Sequence, residues 1–568
     1  MTTTTPPQPV KRRMGWRVWV AIVVVVIVVI AGVAYYLTSS GGPKRDTSTI
    51  TYYMQSEPLT FDSADAYDLW SFIAIQNTYD TLVGYTGDSL ALSPNLATSW
   101  DVLDGQHYVF HLRQGVKFAD GSNFTASDVY WSFYRVLKVA APTTGVNWIL
   151  SQDLDAANPS NSLWVKDLYT IQMNLTIPYS GFLQTLATVE PSAIMSAAWI
   201  KAHGDSAYPG GIVPGQDNSY ITNNTMGTGP YVLNQASWTR GSEMTLVRND
   251  NYWRGWSAGH ANKIVLKFTT DASSRVEAVR TGVADVADLP LTNVKDVSSV
   301  TGVVAKANNT VKSEIVAMNT TNAFMADNAS GRLVRQAFSW AFDYNGTISA
   351  AYAGFARLLP GPIPFGMDYF NVQTQVYYHN LVKASALLNQ SGYTVAASGP
   401  NAGYRFGGYA FHIVADGTQV EEAQAAQIFR NTLGTLGVKS TLDIKATTAL
   451  WDAARSTGAY DFFVAHWVLD YLDADDYVSP MVMNATNGGD YWHTGFDNFT
   501  ANYYGALARS DPSATRSLDY SKVWAAAMDN PNMIWFCQQD YVPIYQGYIH
   551  GFFFNPVTWY NFYFYQKT

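Results

Sequence analysis

Apolar positions are distributed unevenly along this 568-residue chain. Val18 to Leu37 is one unbroken run of twenty uncharged, almost wholly apolar residues, long enough as a helix to span roughly 30 Å of hydrocarbon. That run predicts a membrane-crossing segment. After Gly41-Gly42-Pro43 the pattern changes to short strand-like runs separated by longer amphipathic ones. β-Branched or alternating segments at Thr49–Met54, Tyr108–Leu112, Thr170–Leu175, Tyr231–Leu233, Ile264–Phe268, Ser313–Met318, Ala410–Val414, Lys439–Ile444 and Asp461–His466 predict strands. Helical spacing predicts helices at Ala126–Leu137, Arg332–Phe342, Lys383–Asn389 and Glu421–Leu436, the first opened by Thr125 as N-cap with Asp128 at its third position. Strands and helices interleave without an internal repeat, which in a chain of this length points to two α/β lobes with a cleft.

Charge gives the apolar run a direction. Lys11, Arg12, Arg13 and Arg17 precede it and outnumber Lys44 and Arg45 behind it, so the N-terminus is expected in the cytoplasm and the body outside the cell membrane. A cleaved signal is the alternative, with Gly32 and Ala34 as small residues near the end of the run. Ten Asn-x-Ser/Thr sequons suit an exported chain. Charged residues are only 14% of the sequence, against roughly 25% in an average globular protein. The net charge is −9, and the lysines and arginines are dispersed rather than gathered in a basic stripe, so a nucleic-acid partner is not expected. Cys537, the single cysteine, follows Ile534-Trp535-Phe536 and reads as a buried small hydrophobe.

No phosphate loop, zinc-protease helix or nucleophile elbow is present in the sequence. Gly227-Thr228-Gly229-Pro230 lacks a following lysine and reads as a turn into a strand. Asp470, Asp473, Asp475 and Asp476 do not fit a calcium loop, whose sixth and twelfth places would hold Gly and Glu and here hold Asp475 and Met481. A solvated acidic turn is the expectation, with no metal and no cofactor. Trp100, Trp131, Trp253 and Trp340 are expected in the core, and Arg113 and Asp128 are expected to fix local structure.

Seven ordered blocks carry a resemblance. They include Asn95-Leu-Ala-Thr-Ser-Trp100, Tyr108-Val-Phe-His-Leu-Arg-Gln-Gly-Val-Lys-Phe118, Asp120–Val129, Gly227–Tyr231 with Arg248–Trp253, Val334–Ala337 with Ala341–Asp343, Lys383–Leu388 with Gly392-Tyr393, and Tyr460-Asp461 with Trp467–Tyr471. Together they resemble the family-5 extracellular solute-binding proteins, the dipeptide- and oligopeptide-binding components of ABC importers. The resemblance implies a two-lobed, periplasmic-binding-protein-like α/β clamp of the large oligopeptide-binding type, here behind an N-terminal transmembrane helix. The expected division is a cytoplasmic N-terminus 1–17, an anchor 18–37, a linker 38–46, lobe I over 47–290, lobe II over 291–546 and a return to lobe I over 547–568. Its expected partners are a peptide, or an oligosaccharide as the second reading, and an ABC permease with its ATPase subunits. The body is expected to be monomeric and to perform no catalysis.

The resemblance also implies a site. Asp470 falls where the family pairs an aspartate with the ligand's terminal ammonium, flanked by Trp467 and Tyr471. Leu69, His466 and Val468 fall where main-chain groups hold the peptide backbone as an added strand. Arg455 falls where some oligopeptide binders place an arginine for the peptide carboxylate, although Val464 replaces a second arginine of that pattern. The structural alternatives are a turn-capping role for Asp470 and a solvated helix position for Arg455.

Overall fold

Thr49–Met54 alternates inward and outward positions, and its inward residues Ile50, Tyr52 and Met54 anchor the core of a seven-stranded sheet. In this computed structural model, which describes residues 45–139, 146–203, 218–371, 376–487, 489–511 and 513–568, that strand runs parallel to Lys263–Phe268 on one side and Val286–Ala287 on the other. The full order is Val303–Ala305, Ile544–Gln546, Val286–Ala287, Thr49–Met54, Lys263–Phe268, Glu243–Arg248 and Tyr231–Thr239. A four-stranded antiparallel sheet, Ala97–Val102, His107–Leu112, Thr170–Asn174 and Leu163–Asp167, has its own apolar cluster and is covered by the helix Ala126–Val139.

The largest apolar cluster surrounds a six-stranded sheet in the order Ala356–Leu358, Met533–Tyr541, Asn308–Met318, Phe462–Trp467, Ala410–Asp416 and Lys439–Lys445. Phe462–Trp467 is buried at every position but His466, as expected of a central strand covered on both faces. The chain leaves the seven-stranded sheet after Ala305 and enters the six-stranded one at Asn308. It returns between Tyr541 and Ile544, whereas the expected changes of lobe fell at 290/291 and 546/547.

Residues Ser48–Lys567 form one compact unit. Met1–Thr47 and Thr568 group separately, and among their described residues the Arg45 guanidinium donates to the Thr568 carbonyl at 2.7 Å. The apolar run Val18–Leu37 lies outside the described residues. Among the described residues no helix is long and apolar enough to cross a membrane.

Several local expectations have a visible cause. Asp128 Oδ2 accepts from the Thr125 N–H at 2.8 Å and its hydroxyl at 3.0 Å, which ties down the start of the helix. Arg113 Nε donates to the Asn95 carbonyl at 3.1 Å, and its guanidinium lies 4.3 Å from the Trp253 ring. Gly227 is required because a Cβ there would come 2.2 Å from the Thr78 carbonyl oxygen. Cys537 is fully buried, as is Trp340. Trp100, Trp131 and Trp253 are half-buried, and Trp100 and Trp253 pack against the apolar cluster of the four-stranded sheet.

Candidate ligand-binding site

The segment after Phe462–Trp467 leaves the six-stranded sheet and inserts Tyr471 into the apolar cluster of the four-stranded sheet. This brings both Trp467 and Tyr471 against Trp148, with ring centroids 6.4 and 6.3 Å away. Tyr491 packs edge-on to Trp467 at 5.2 Å, so the wall is largely aromatic. Asp470 lies within this wall, 5% exposed, and accepts a hydrogen bond from Tyr67 Oη at 2.9 Å. Burial pushes its carboxyl up to about 7, with the Tyr67 hydroxyl acting in the opposite direction.

Other carboxylates share the region. Asp476 Oδ2 accepts from the Asp470 N–H at 3.0 Å and from Trp467 Nε1 at 3.2 Å, while its Oδ1 has no hydrogen-bond partner among the described residues. Glu190 is fully buried, and its carboxyl is held well above the ordinary value first by burial and then by Asp470 and Asp68. Among the described residues Glu190 Oε2 and Asp68 Oδ2 also lack hydrogen-bond partners. Buried polar groups are nearly always paired, so these acceptors are available to a donor or cation brought by a ligand.

The main chain presents a second feature. The Met318 N–H donates to Asn532 and the Asn319 N–H to Asp461, so odd-numbered residues of Asn308–Met318 face Phe462–Trp467. With Ser313 opposite Trp467 and Glu314 opposite His466, the backbone groups of His466 point away from that neighbour. On the other side, Ala410–Asp416 pairs only as far as Phe463. His466 therefore offers its N–H and carbonyl at an open strand edge, and Val468 follows two residues later. The chemistry suits addition of an extended backbone.

Leu69 is placed differently from an extended partner. It is the first residue of the helix Leu69–Gln76, capped by Asp68, whose carboxylate accepts from the N–H groups of Trp70 and Ser71 at 3.1 and 2.9 Å. Its carbonyl belongs to the helix, leaving only the N–H free of the helical ladder. The adjacent Tyr67 nevertheless brings this segment to Asp470.

Arg455 is not a solvated helix residue. It is 7% exposed, its Nε donates to Asp452 Oδ1 at 2.8 Å, and its guanidinium lies 3.9 Å from the Tyr491 ring. It thus supports the aromatic wall through Tyr491. The expected solvated acidic turn is overturned too, because Asp470, Asp473, Asp475 and Asp476 are all buried. Arg516 forks onto Asp473 at 2.7 and 2.9 Å, and Arg509 bridges Asp475 to Asp153. These arginines supply the counter-charge that water would otherwise provide. Sequence reading missed Tyr67, Trp148 and Glu190, although one signal existed for Glu190, a lone carboxylate in the apolar stretch Val189–Met195.

A recess of about 600 Å³ lined by Tyr220, Trp238, Arg240 and their neighbours lies elsewhere and includes none of the expected site residues.

A seven-stranded and a six-stranded sheet joined by two chain crossings, with a buried acidic and aromatic wall beside a smaller antiparallel sheet, form the frame of a binding protein. Residues 91–489 match the family described as bacterial extracellular solute-binding proteins, family 5, and the chain belongs to that family. It is 26% identical over 517 residues to the "Probable D,D-dipeptide-binding periplasmic protein DdpA" of Escherichia coli, covering 88% of this chain and 90% of that one. It is 25% identical over 497 residues to heme-binding protein A of Haemophilus influenzae, covering 84% of each. Among solved structures, the fold is similar to the DppA binding protein of Helicobacter pylori in complex with the peptide STSA. The TM-score is 0.77 at 21% identity, over 91% of this chain and 98% of that one. AppA of Bacillus subtilis, solved with a nonapeptide, gives a TM-score of 0.75 at 18% identity, over 92% and 99%.

Proposed function

We propose that this protein captures peptides outside the cell and delivers them to an ABC-type permease. The observation that carries the reading is the buried acidic group around Asp470, with unpartnered oxygens on Asp68, Glu190 and Asp476. A peptide's terminal ammonium supplies the positive charge this group lacks, and an ion pair formed out of water is held by charge-assisted hydrogen bonds. The open edge at His466 and Val468 takes the peptide main chain, while Trp467, Tyr471 and Trp148 pack its side chains. Backbone bonding makes the site tolerant of sequence. The relatives named for peptides support the same reading. An oligosaccharide would use the aromatic wall but give the buried carboxylates no partner.

In this reading the lobes comprise roughly residues 48–305 with 544–567 and residues 308–541, and the two crossings act as the hinge on which ligand drives closure. The run Val18–Leu37 holds the body on the outer face of the cell membrane. The chain binds and releases its solute without breaking a bond, and the transport energy comes from the ATPase subunits of the partner. Thermal shift of the full-length chain against peptide and oligosaccharide panels tests the ligand class. A ligand at 100 times its Kd adds about 2.7 kcal/mol of stability. Stabilisation by oligosaccharides and by no peptide would overturn the assignment.

A further inference from the structure

Behind the Phe462–Trp467 strand, on the face opposite Trp467, lies a second set of ionisable side chains that peptide capture does not use. Glu314 stands across the ladder from His466 in the closer, non-hydrogen-bonded type of pair. Glu422 reaches the same place from the first turn of the helix Val420–Thr435 and contacts His466 Nδ1. One ligating atom from each of Glu314, Glu422 and His466 lies within 4.8 Å of the others.

Glu314 and Glu422 are 0% and 1% exposed, yet Glu314 Oε2 and Glu422 Oε2 have no hydrogen-bond partner among the described residues. Tyr352 lies beside Glu314. The resident cation is Lys312, whose Nζ lies 3.0 Å from Glu314 Oε1 and donates to Gln539 Oε1 at 2.7 Å. Asp416 acts on both Glu422 and His466, while its own oxygens are held by Thr418 and Thr448. Half-buried Glu421 accepts from the Leu291 N–H at 2.9 Å. One ammonium thus faces three buried carboxylates.

We propose that Glu314, Glu422 and His466 form a binding site for one divalent transition-metal ion of the zinc class. A dication together with Lys312 balances Glu314, Glu422 and Asp416. A neutral imidazole with two carboxylates is a donor set for a zinc-type ion rather than calcium, which takes six to eight oxygens. Bonds of about 2.0 Å require the three ligand atoms to draw together when the ion binds. Three protein ligands leave one tetrahedral position open. This inference stands apart from peptide capture, since it uses the imidazole of His466 and not its backbone.

The full-length chain, stripped with a chelator and titrated with Zn²⁺ by calorimetry, should take up one equivalent with micromolar or tighter affinity. Co²⁺ in its place should show the intense visible bands of a tetrahedral site. His466→Ala and Glu422→Gln should each weaken Zn²⁺ binding by about 100-fold or more, since each removes a direct ligand. His466 is partly exposed, so its variant decides the matter even where Glu422→Gln disturbs folding. No Zn²⁺ uptake by the wild type, or uptake unchanged in His466→Ala, would overturn the site.

Discussion

Replacing Asp470 by asparagine should strengthen the free protein and weaken its peptide complex, two effects that a purely structural residue would not combine. The side chain is buried and its carboxyl is pushed up to about 7, from about 3.9 for an ordinary aspartate. An acid whose folded value is raised lowers stability as pH climbs from the unfolded value to the folded one. The penalty is absent below about pH 4 and complete above about pH 7. At 1.36 kcal/mol per unit the ceiling is about 4 kcal/mol, shared with the neighbouring buried Asp476, whose carboxyl the Asp470 charge also raises. The asparagine amide keeps an acceptor for Tyr67 and carries no charge. Urea unfolding should therefore show the variant gaining up to about 4 kcal/mol at pH 8 and almost nothing at pH 4.

Binding should move the other way. Removing one partner of a desolvated charge pair costs about 2–5 kcal/mol, so affinity for a panel-selected peptide should fall roughly thirty-fold or more. Wild-type affinity should also decline as pH drops below about 7, by at most about tenfold per pH unit, because the carboxyl must release a proton before it meets an ammonium. The variant should lack that slope. Calorimetry and urea titrations on both proteins at pH 5 and pH 8 decide the point. Unchanged peptide affinity, with lower stability at both pH values, would refute the reasoning and leave Asp470 as a turn cap.

Arg509→Met should cost about 3–5 kcal/mol in urea unfolding, since it strands the buried carboxylates of Asp153 and Asp475, and restoring part of that loss with Asp153→Asn would confirm the bridge. Trp467→Ala should cost about 3–5 kcal/mol of stability through the cavity it leaves. If the ligand were an oligosaccharide, the same change would weaken binding more than Asp470→Asn, and calorimetry on the two variants would show it. Protease added to intact cells should remove the body while the purified full-length protein still begins near Met1. A mature N-terminus near Tyr35 would replace the anchor with a cleaved signal.

The strands and helices were largely legible because their periodicity is local: Thr49–Met54, Ala410–Asp416 and Ala126–Val139 begin where their β-branched runs or N-cap residues stand. The family was legible because its blocks are collinear with the chain. Tertiary structure decided which charges are satisfied. Nothing around Asp473 or Asp475 announces Arg516 or Arg509, which arrive from helices later in the chain and turn an apparently solvated run into a buried one. Tyr67 and Asp470 are separated by 403 positions and meet at 2.9 Å. Glu314, Glu422 and His466 become one cluster only when strand pairing and a helix start bring them together. Sequence periodicity records which side of its own element a residue faces. The electrostatic environment of that residue depends on what other elements bring to the same spot, and burial then fixes how strongly those charges act.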